Sequence, residues 1–258
     1  MSKFSASLGW LFKELPFLER FEMAKANGFD GVEIPAPYDV AVQEIQMRLA
    51  MNDLRLVTMS APPPNYTGGA PGYPSDPANV ARFRHDFRRA LRFSAALRPD
   101  YLLVMAGLGS GEEARACFID NLRWAAKEAG RQKLLIEPAN SADVPGHFLD
   151  NYALACAVIE EVGAPNLRLQ FDTYHAHRIT GDVCATWDAV GAFVGHVQVA
   201  GIPDRHEPHL GDLDVEGFLA HIARSGYQGW ISAEYEPRGA TADGLSWMRP
   251  ARRRRTAS

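Results

Sequence analysis

The feature that most constrains the fold is a regular alternation of short apolar runs with longer amphipathic stretches along the whole chain. Eight runs have the length and residue content of strands, at 4–8, 31–34, 54–60, 101–107, 133–138, 167–172, 195–200 and 230–235. Helical patterns follow them at 16–27, 40–52, 78–97, 112–129, 150–162, 182–192, 213–225 and near 240–248. Eight strand–helix units in 258 residues predict a single α/β domain, a (β/α)8 (TIM) barrel over residues 1–250.

An open doubly wound sheet is the alternative fold with alternating strands and helices. It usually carries a glycine-rich GxGxxG loop after its first strand, whereas the first strand here continues into GWLFKELP. The barrel is therefore favoured. The longest irregular stretch, residues 61–79, is rich in Pro and Gly and would follow strand 3 at the C-terminal face of the barrel. Two interpretations are open for it, a lid over the site or a plain surface loop.

The charge balance is mildly acidic, with 27 Lys and Arg against 31 Asp and Glu and a formal net charge of −4. A nucleic-acid surface usually needs a basic excess, so no nucleic-acid partner is expected. The one basic run, Arg252 to Arg255, lies in residues 251–258, which we predict to be a solvated, disordered tail. A contact with phosphate or another polyanion is the alternative interpretation of this run.

The cysteine pattern predicts a reducing compartment. Cys117, Cys156 and Cys184 are widely spaced and odd in number, and no CxxC pair occurs. The apolar residues at the N-terminus are interrupted by Ser5, Ser7 and Gly9, which is typical of a strand rather than a signal peptide. No run approaches the roughly 20 apolar residues of a membrane span. We expect a soluble, cytoplasmic protein without a membrane partner.

Polar side chains collect at the ends of the last four predicted strands. They are Glu137 on strand 5, Asp172 and His175 at strand 6, His196 and Gln198 on strand 7, and Glu234 and Glu236 on strand 8. Singly, each carboxylate could cap a helix and each histidine could be a hydrogen-bonded core residue. Because the C-terminal ends of barrel strands meet at one face, four consecutive strands that each deliver such a group predict a shared site.

The chemistry of these side chains indicates a hard divalent ion. Glu137, Asp172, Gln198 and Glu234 would offer oxygen atoms only, and oxygen ligands favour Mg²⁺ or Mn²⁺ over Zn²⁺. Three clustered carboxylates would repel one another without a cation. The sequence therefore predicts a Mg²⁺ or Mn²⁺ site, with His175 placed to reach a substrate.

Long motifs in a fixed order carry a resemblance to a known family. They are FLERFEMAKANGFDGVEIPAPYD (17–39), LLIEPAN (134–140), VPGHFL (144–149), QFDTYHAHRITGD (170–182), GHVQVAGIPDRHEP (195–208) and SAEYEP (232–237). On these motifs the chain resembles the hydroxypyruvate isomerase family, within the xylose isomerase-like barrels, from FSASL to GLSWMRP.

The resemblance implies residue roles and partners. It implies that Glu137, Asp172, Gln198 and Glu234 hold the metal, that Glu137 and Glu234 also transfer protons, and that His175, Arg205, His206 and Glu207 contact the substrate. Relatives are often oligomeric, which implies a possible homo-oligomer. The implied reaction class is an aldose–ketose type isomerisation through an enediolate, with hydroxypyruvate converting to 2-hydroxy-3-oxopropanoate as the type reaction.

Departures from the family pattern lie in loops that face the substrate. Around the end of strand 3 the chain reads MSAPPPNYTGG, with Ser60 and no Trp, where relatives often show an Asn before a Pro and then Gly-Asp-Trp. After LLIEPAN, Ser141 and Ala142 stand where relatives carry Arg or other polar residues. A 2-oxo-tetronate isomerase or a ketose 3-epimerase therefore stays open as an alternative. More distant alternatives are a non-enzymatic barrel that binds sugar acids and a zinc-dependent endonuclease, which would need more histidine ligands and a basic surface.

For several further residues, a structural role is favoured over a role in the site. His196 is expected to fill a layer of the barrel interior or to support a ligand. Trp10, Phe12 and Tyr66 could line the pocket or simply pack at the rim. Glu236 is expected to be peripheral.

Overall fold

A computed structural model describes residues 3–65 and 71–248, and its centre is a closed barrel of eight parallel strands in chain order. The strands are β1 Lys3–Ser7, β2 Gly31–Ile34, β3 Arg55–Ser60, β4 Tyr101–Leu103, β5 Lys133–Ile136, β6 Leu167–Asp172, β7 Val194–Val199 and β8 Trp230–Ala233. The barrel closes where β1 pairs with β8, in register from Lys3 opposite Trp230. The predicted (β/α)8 architecture is confirmed.

Within residues 3–65 and 71–248, eight α-helices connect the strands on the outside of the barrel. They are α1 Arg20–Ala26, α2 Val42–Met51, α3 Val80–Leu97, α4 Gly111–Ala129, α5 Tyr152–Val162, α6 Thr173–Thr180, α7 Val183–Val190 and α8 Val215–Arg224. The amphipathic pattern predicted for residues 78–97 is confirmed, since Phe83, Phe87 and Ala90 bury one face of α3.

Several strand bounds differ from the prediction by one or two residues, and three differences are larger. The strand predicted at 101–107 ends at Leu103, because the Ala106 and Gly107 carbonyls accept hydrogen bonds from loop amides of Ser75 and Phe148. The last helix, predicted near 240–248, is replaced by two short 3-10 turns, Thr241–Gly244 and Ser246–Met248. The helix α6 was not predicted and begins directly after β6.

The described parts of the stretch 61–79 pack onto the barrel. Tyr73 and Ser75 are buried, and the Ser75 hydroxyl donates to the Ala106 carbonyl at 2.8 Å. A Cβ atom on Gly72 would lie 2.0 Å from the Met105 carbonyl oxygen, so only glycine fits this close approach. Tyr66 and the tip of the loop, like the tail 251–258, lie outside the described residues, and the lid interpretation stays a prediction.

Two layers form the core. Between the barrel and the helices the packing is aromatic, as where Phe171 stacks on Phe218 at 5.8 Å and meets Trp187 edge-on at 5.4 Å. The barrel interior is polar instead, and its fully buried members include Ser5, Ser7, Glu33, Gln170, His196 and Ser232. This polarity is unusual for a barrel interior, which is typically filled by branched apolar residues. The polar side chains continue to the C-terminal end of the barrel.

The three cysteines are partly buried and form no disulfide within the described part of the chain. Over the same ranges, no helix has the length and apolar content needed to cross a membrane.

Candidate active site

The four predicted metal ligands lie at the C-terminal end of the barrel. Glu137 directly follows β5, Asp172 is the last residue of β6 and Glu234 directly follows β8. Gln198 lies in β7, in register with Asp172 on the neighbouring strand. Strand ends position all four side chains, because the backbone there is held on both sides by parallel ladder hydrogen bonds.

Glu137, Asp172 and His175 form one compact cluster. Each offers an atom that lies within 4.8 Å of the other two, and all three residues are buried. Among the described residues, the Oε1 atom of Glu137 has no hydrogen-bond partner. Leaving a buried acceptor without a hydrogen-bond partner costs folding free energy. This is the environment expected of an oxygen atom whose role is to bind a ligand.

Arg205 joins Glu234 to this cluster. Its Nη2 atom donates to Asp172 Oδ2 at 2.8 Å and to Glu234 Oε2 at 2.9 Å. The guanidinium contacts two aromatic rings, with its central carbon 4.6 Å from the centre of Trp10 and 5.0 Å from that of Tyr174. Burial alone would lower the pKa of Arg205, but the neighbouring carboxylates outweigh burial and raise it above its usual value. A permanent cation thus bridges two of the predicted ligands.

The hydrogen bonds of His175 fix its tautomer. Its Nδ1 atom accepts from the backbone N–H of Asn140 at 3.2 Å and lies 2.9 Å from the Asn140 side-chain nitrogen. Because an N–H group can only donate, Nδ1 carries no proton and the neutral ring has its proton on Nε2. That Nε2 atom lies 3.8 Å from Asp172 Oδ2, and burial lowers the pKa of His175. His175 is therefore a neutral donor aimed at the cluster.

The helix α6 explains how His175 reaches this position. The Asp172 side chain accepts a hydrogen bond from the backbone N–H of Tyr174 at 2.8 Å, so the last residue of β6 also caps α6. The helix begins with no intervening loop, and His175 lies in its first turn. The polar residues of FDTYHAH are therefore close together because a strand ends and a helix begins there, inside the site.

The raised pKa values of the carboxyl groups in the cluster indicate a site that favours a divalent cation. Burial, followed by the nearby charge of Asp172, raises the pKa of Glu137 well above its usual value. Burial also raises the pKa of Glu234, although Arg205 opposes this. Carboxylates that are this desolvated and this close to each other are stabilised by positive charge, so the donor set fits Mg²⁺ or Mn²⁺.

His206 and Glu207 contact the chain that follows β8. The His206 Nδ1 atom lies 2.7 Å from the Glu236 carbonyl oxygen, and the Glu207 carboxylate accepts from the Arg238 N–H at 3.0 Å. These contacts brace the loop that carries Arg205, and the roles of both residues in substrate binding stay predictions. Glu236 itself makes an exposed ion pair with Lys13.

Two interior residues were missed by the sequence reasoning. Glu33 on β2 accepts hydrogen bonds from His196 and from Gln198, and the Gln170 side-chain amide donates to Gln198 at 2.9 Å. A signal for Glu33 existed, because it is a charged residue inside the short, otherwise apolar strand GVEI. Phe12, considered for the pocket wall, is fully buried and packs against Phe29.

Comparison with known proteins covers nearly the whole chain. A family model described as xylose isomerase-like TIM barrel matches residues 21–251. A 2-oxo-tetronate isomerase of Cupriavidus necator is 39% identical over 97% of this chain and 98% of its own length. A hydroxypyruvate isomerase of Escherichia coli is 36% identical over 98% of this chain and 100% of its own length.

Solved structures share the fold. A crystal structure named AP endonuclease, family 2, from Brucella melitensis superposes with a TM-score of 0.93 at 35% identity and covers 97% of this chain and 99% of its own. A 3-keto-D-glucoside 4-epimerase from E. coli superposes with a TM-score of 0.78 at 22% identity, covering 97% and 100% of the two chains. At that identity the second likeness concerns the fold alone.

Proposed function

The chain belongs to the xylose isomerase-like TIM barrel family and is an isomerase, and we propose that it acts on small 2-oxo acids that carry a hydroxyl group on the neighbouring carbon. The observation that carries the proposal is the buried group of Glu137, Asp172 and His175, joined to Glu234 through Arg205. This group combines proton-transfer residues, a neutral hydrogen-bond donor and a fixed cation at one barrel mouth.

The proposed reaction moves a carbonyl group by one carbon. A proton leaves C3 of the substrate, which bears the hydroxyl, and a proton arrives at C2, which bears the carbonyl. The hydroxyl proton passes from the oxygen on C3 to the oxygen on C2, so that no atom is gained or lost. Between the two transfers the substrate is an enediolate with negative charge on its oxygens.

Glu137 and Glu234 are the proposed proton-transfer pair. Glu137 is buried and Glu234 is mostly shielded from solvent, and the raised pKa of each carboxyl group brings it nearer to the range in which it can both accept and return a proton near neutral pH. The His175 Nε2–H group is placed to donate to a developing oxyanion. Proton transfer and stabilisation of the oxyanion are thus both assigned to these three residues.

Arg205 is the proposed anchor for the substrate carboxylate. Its planar guanidinium can bind a carboxylate through two parallel hydrogen bonds. Contacts with the Trp10 and Tyr174 rings restrict the orientation of the group. Glu137, Asp172, Gln198 and Glu234 would hold a Mg²⁺ or Mn²⁺ ion, which when bound polarises the substrate carbonyl.

Hydroxypyruvate and a 2-oxo-tetronate both satisfy these requirements and differ by one hydroxylated carbon. Relatives named for each of the two acids match the chain over almost its full length. Isomerisation of a 2-oxo-tetronate is the second candidate function, because a relative with that name is 39% identical to this chain. The departures noted at Ser60, Ser141 and Ala142 lie at the end of β3 and in the loop after β5, on the same face of the barrel as the carboxylates.

An assay with both acids side by side tests the proposal. Metal-free protein is supplied with Mn²⁺ or Mg²⁺ in deuterated water, and the products are followed by proton NMR. We expect turnover with deuterium at C2 of the product. Glycerate, which lacks the carbonyl, and duplex DNA with an abasic site serve as control substrates that should stay unchanged. Metal-loaded protein that converts neither acid would contradict the proposed substrate class.

Metal binding should be visible as stabilisation. Mn²⁺ at a hundredfold excess over its dissociation constant is expected to raise the free energy of unfolding by about 2.7 kcal/mol relative to the chelated protein. The shift follows because the ion binds the folded carboxylate cluster and not the unfolded chain. Thermal unfolding with EDTA, Mg²⁺ and Mn²⁺ measures it, and Asp172→Asn should remove most of the shift. An equal melting temperature in all three conditions would refute the metal site.

A further inference from the structure

Glu33 is a buried carboxylate in the barrel interior that the proposed reaction does not use. It is the third residue of β2 and only 1% exposed. Both of its oxygens accept hydrogen bonds from side chains of β7: Oε1 from His196 Nε2, and Oε2 from Gln198 Nε2 at 2.9 Å. Burying a charge is costly unless it is fully hydrogen-bonded, and these two donors satisfy it.

The chemistry of these bonds determines which way the Gln198 amide faces. A carboxylate can only accept, so the atom of Gln198 that meets Glu33 must be the NH₂ group. The amide oxygen then points away from Glu33 and accepts from Gln170 Nε2 at 2.9 Å. A carbonyl oxygen has two lone pairs, and one remains available after this bond.

The far end of this chain of hydrogen bonds lies at the active site. Gln170 is two residues before Asp172 on β6, and its side chain is near enough to Glu137 to oppose the rise in the pKa of that carboxyl group. Gln198 is in register with Asp172. The Glu33–Gln198–Gln170 chain therefore connects β2, across the barrel, to the carboxylates at the mouth.

We propose that Glu33 is a positioning residue that holds the Gln198 amide with its oxygen, and not its NH₂ group, toward Glu137 and Asp172. This inference rests on the proposed function, in which Gln198 is a ligand for the divalent ion. The two ends of a primary amide are nearly equal in size, so packing alone does not choose between them. A reversed amide would present NH₂ hydrogens to a cation, and His196 steadies the carboxylate that prevents this.

A double-mutant cycle on Mn²⁺ affinity tests the proposal. Glu33→Gln keeps the size of the side chain but supplies both a donor and an acceptor, so it no longer selects one orientation of Gln198. Free Mn²⁺ is measured by electron paramagnetic resonance in titrations of the full-length protein without substrate. We expect Glu33→Gln to raise the dissociation constant by about 10–100-fold, the range for residues that orient a metal ligand.

The effect should depend on Gln198. In a Gln198→Ala background, Glu33→Gln is expected to change the dissociation constant by less than about twofold, because there is no amide left to orient. Equal effects of Glu33→Gln in both backgrounds would show that Glu33 acts through general stability, and would overturn the proposal. Ser232→Ala is the matched control, since it removes another buried interior hydrogen bond, to the Ser5 carbonyl, and should leave Mn²⁺ affinity unchanged.

An exchange of the side chains at positions 33 and 198 gives an independent test. It can be made even if the single variant Glu33→Gln does not fold. In the double variant Glu33→Gln with Gln198→Glu, the amide donates from position 33 and a carboxylate oxygen faces the site. Mn²⁺ affinity should return to that of the unmodified protein or exceed it, whereas Gln198→Glu alone sets two carboxylates against each other and should bind more weakly than the exchange variant. Failure of the exchange to restore affinity would overturn the positioning role.

The outcomes separate this inference from the proposed function. Mn²⁺ binding that is unaffected by Glu33→Gln but lost with Asp172→Asn would leave the metal site standing and overturn the role of Glu33. An unmodified protein that does not bind Mn²⁺ would overturn both.

Discussion

Glutamine in place of Glu137 is expected to lower kcat/KM for isomerisation by about 10³-fold or more, in the upper part of the range for a general acid–base group. The amide has nearly the same shape but can neither take a proton from carbon nor return one. Glu137 is buried beside Asp172 and His175, so water has little access to replace it. Steady-state rates with saturating Mn²⁺ on hydroxypyruvate and on 2-oxo-tetronate measure the effect.

A second glutamine variant should fail at a different step. Glu234→Gln is expected to reduce turnover as strongly, but only one of the two variants should still exchange the C3 proton of the substrate with deuterated solvent. Such exchange needs only the carboxylate that removes the proton. Glu161→Gln changes an exposed carboxylate paired with Arg115 and is the matched control that should keep full activity. Turnover by Glu137→Gln at more than about a tenth of the normal rate would exclude Glu137 from proton transfer.

Alanine at Phe171 is expected to lower the free energy of unfolding by about 3–5 kcal/mol. Phe171 is fully buried between the barrel and the helices. Its ring stacks on Phe218 and contacts Trp187 and Tyr152, with ring centres 5.4–5.8 Å apart. Three rigid aromatic neighbours cannot collapse far into the space left by a phenyl ring, so most of the cavity should persist.

Urea unfolding followed by circular dichroism measures this loss. Phe193→Ala removes the same side chain from a partly exposed position in the same region and should cost clearly less. A loss below about 1 kcal/mol for Phe171→Ala would mean that the helices repack around β6, contrary to the rigid packing described.

The alternation of strand and helix patterns was enough to predict the barrel and its strand order. Strands 31–34 and 167–172 have the predicted bounds. The helix α6 was missed because it begins directly after β6, with no loop residue between them to mark a new element. Its cap, Asp172, is also the last residue of a strand, so the usual start signal was attributed to the strand.

The site was predictable where it depends on strand ends and unpredictable where it depends on contacts across the barrel. Glu137 and Asp172 could be brought together because neighbouring parallel strands end at the same level. The bond between Glu33 and Gln198 joins residues 165 positions apart on strands that are not neighbours. Likewise, the position of Arg205, which donates to Asp172 and Glu234 and contacts two aromatic rings, depends on loop conformations that strand and helix patterns do not define.

The contacts of Arg205 with Trp10 and Tyr174 suggest one way in which substrate preference could change. Trp10 belongs to the turn after β1, which contributes no carboxylate to the cluster. If Arg205 anchors the substrate carboxylate as proposed, a substitution at Trp10 would change the orientation of the guanidinium and of the bound acid without moving Glu137 or Glu234. Preference for longer or shorter carbon chains would then change through one aromatic position, while the residues proposed for proton transfer stay the same.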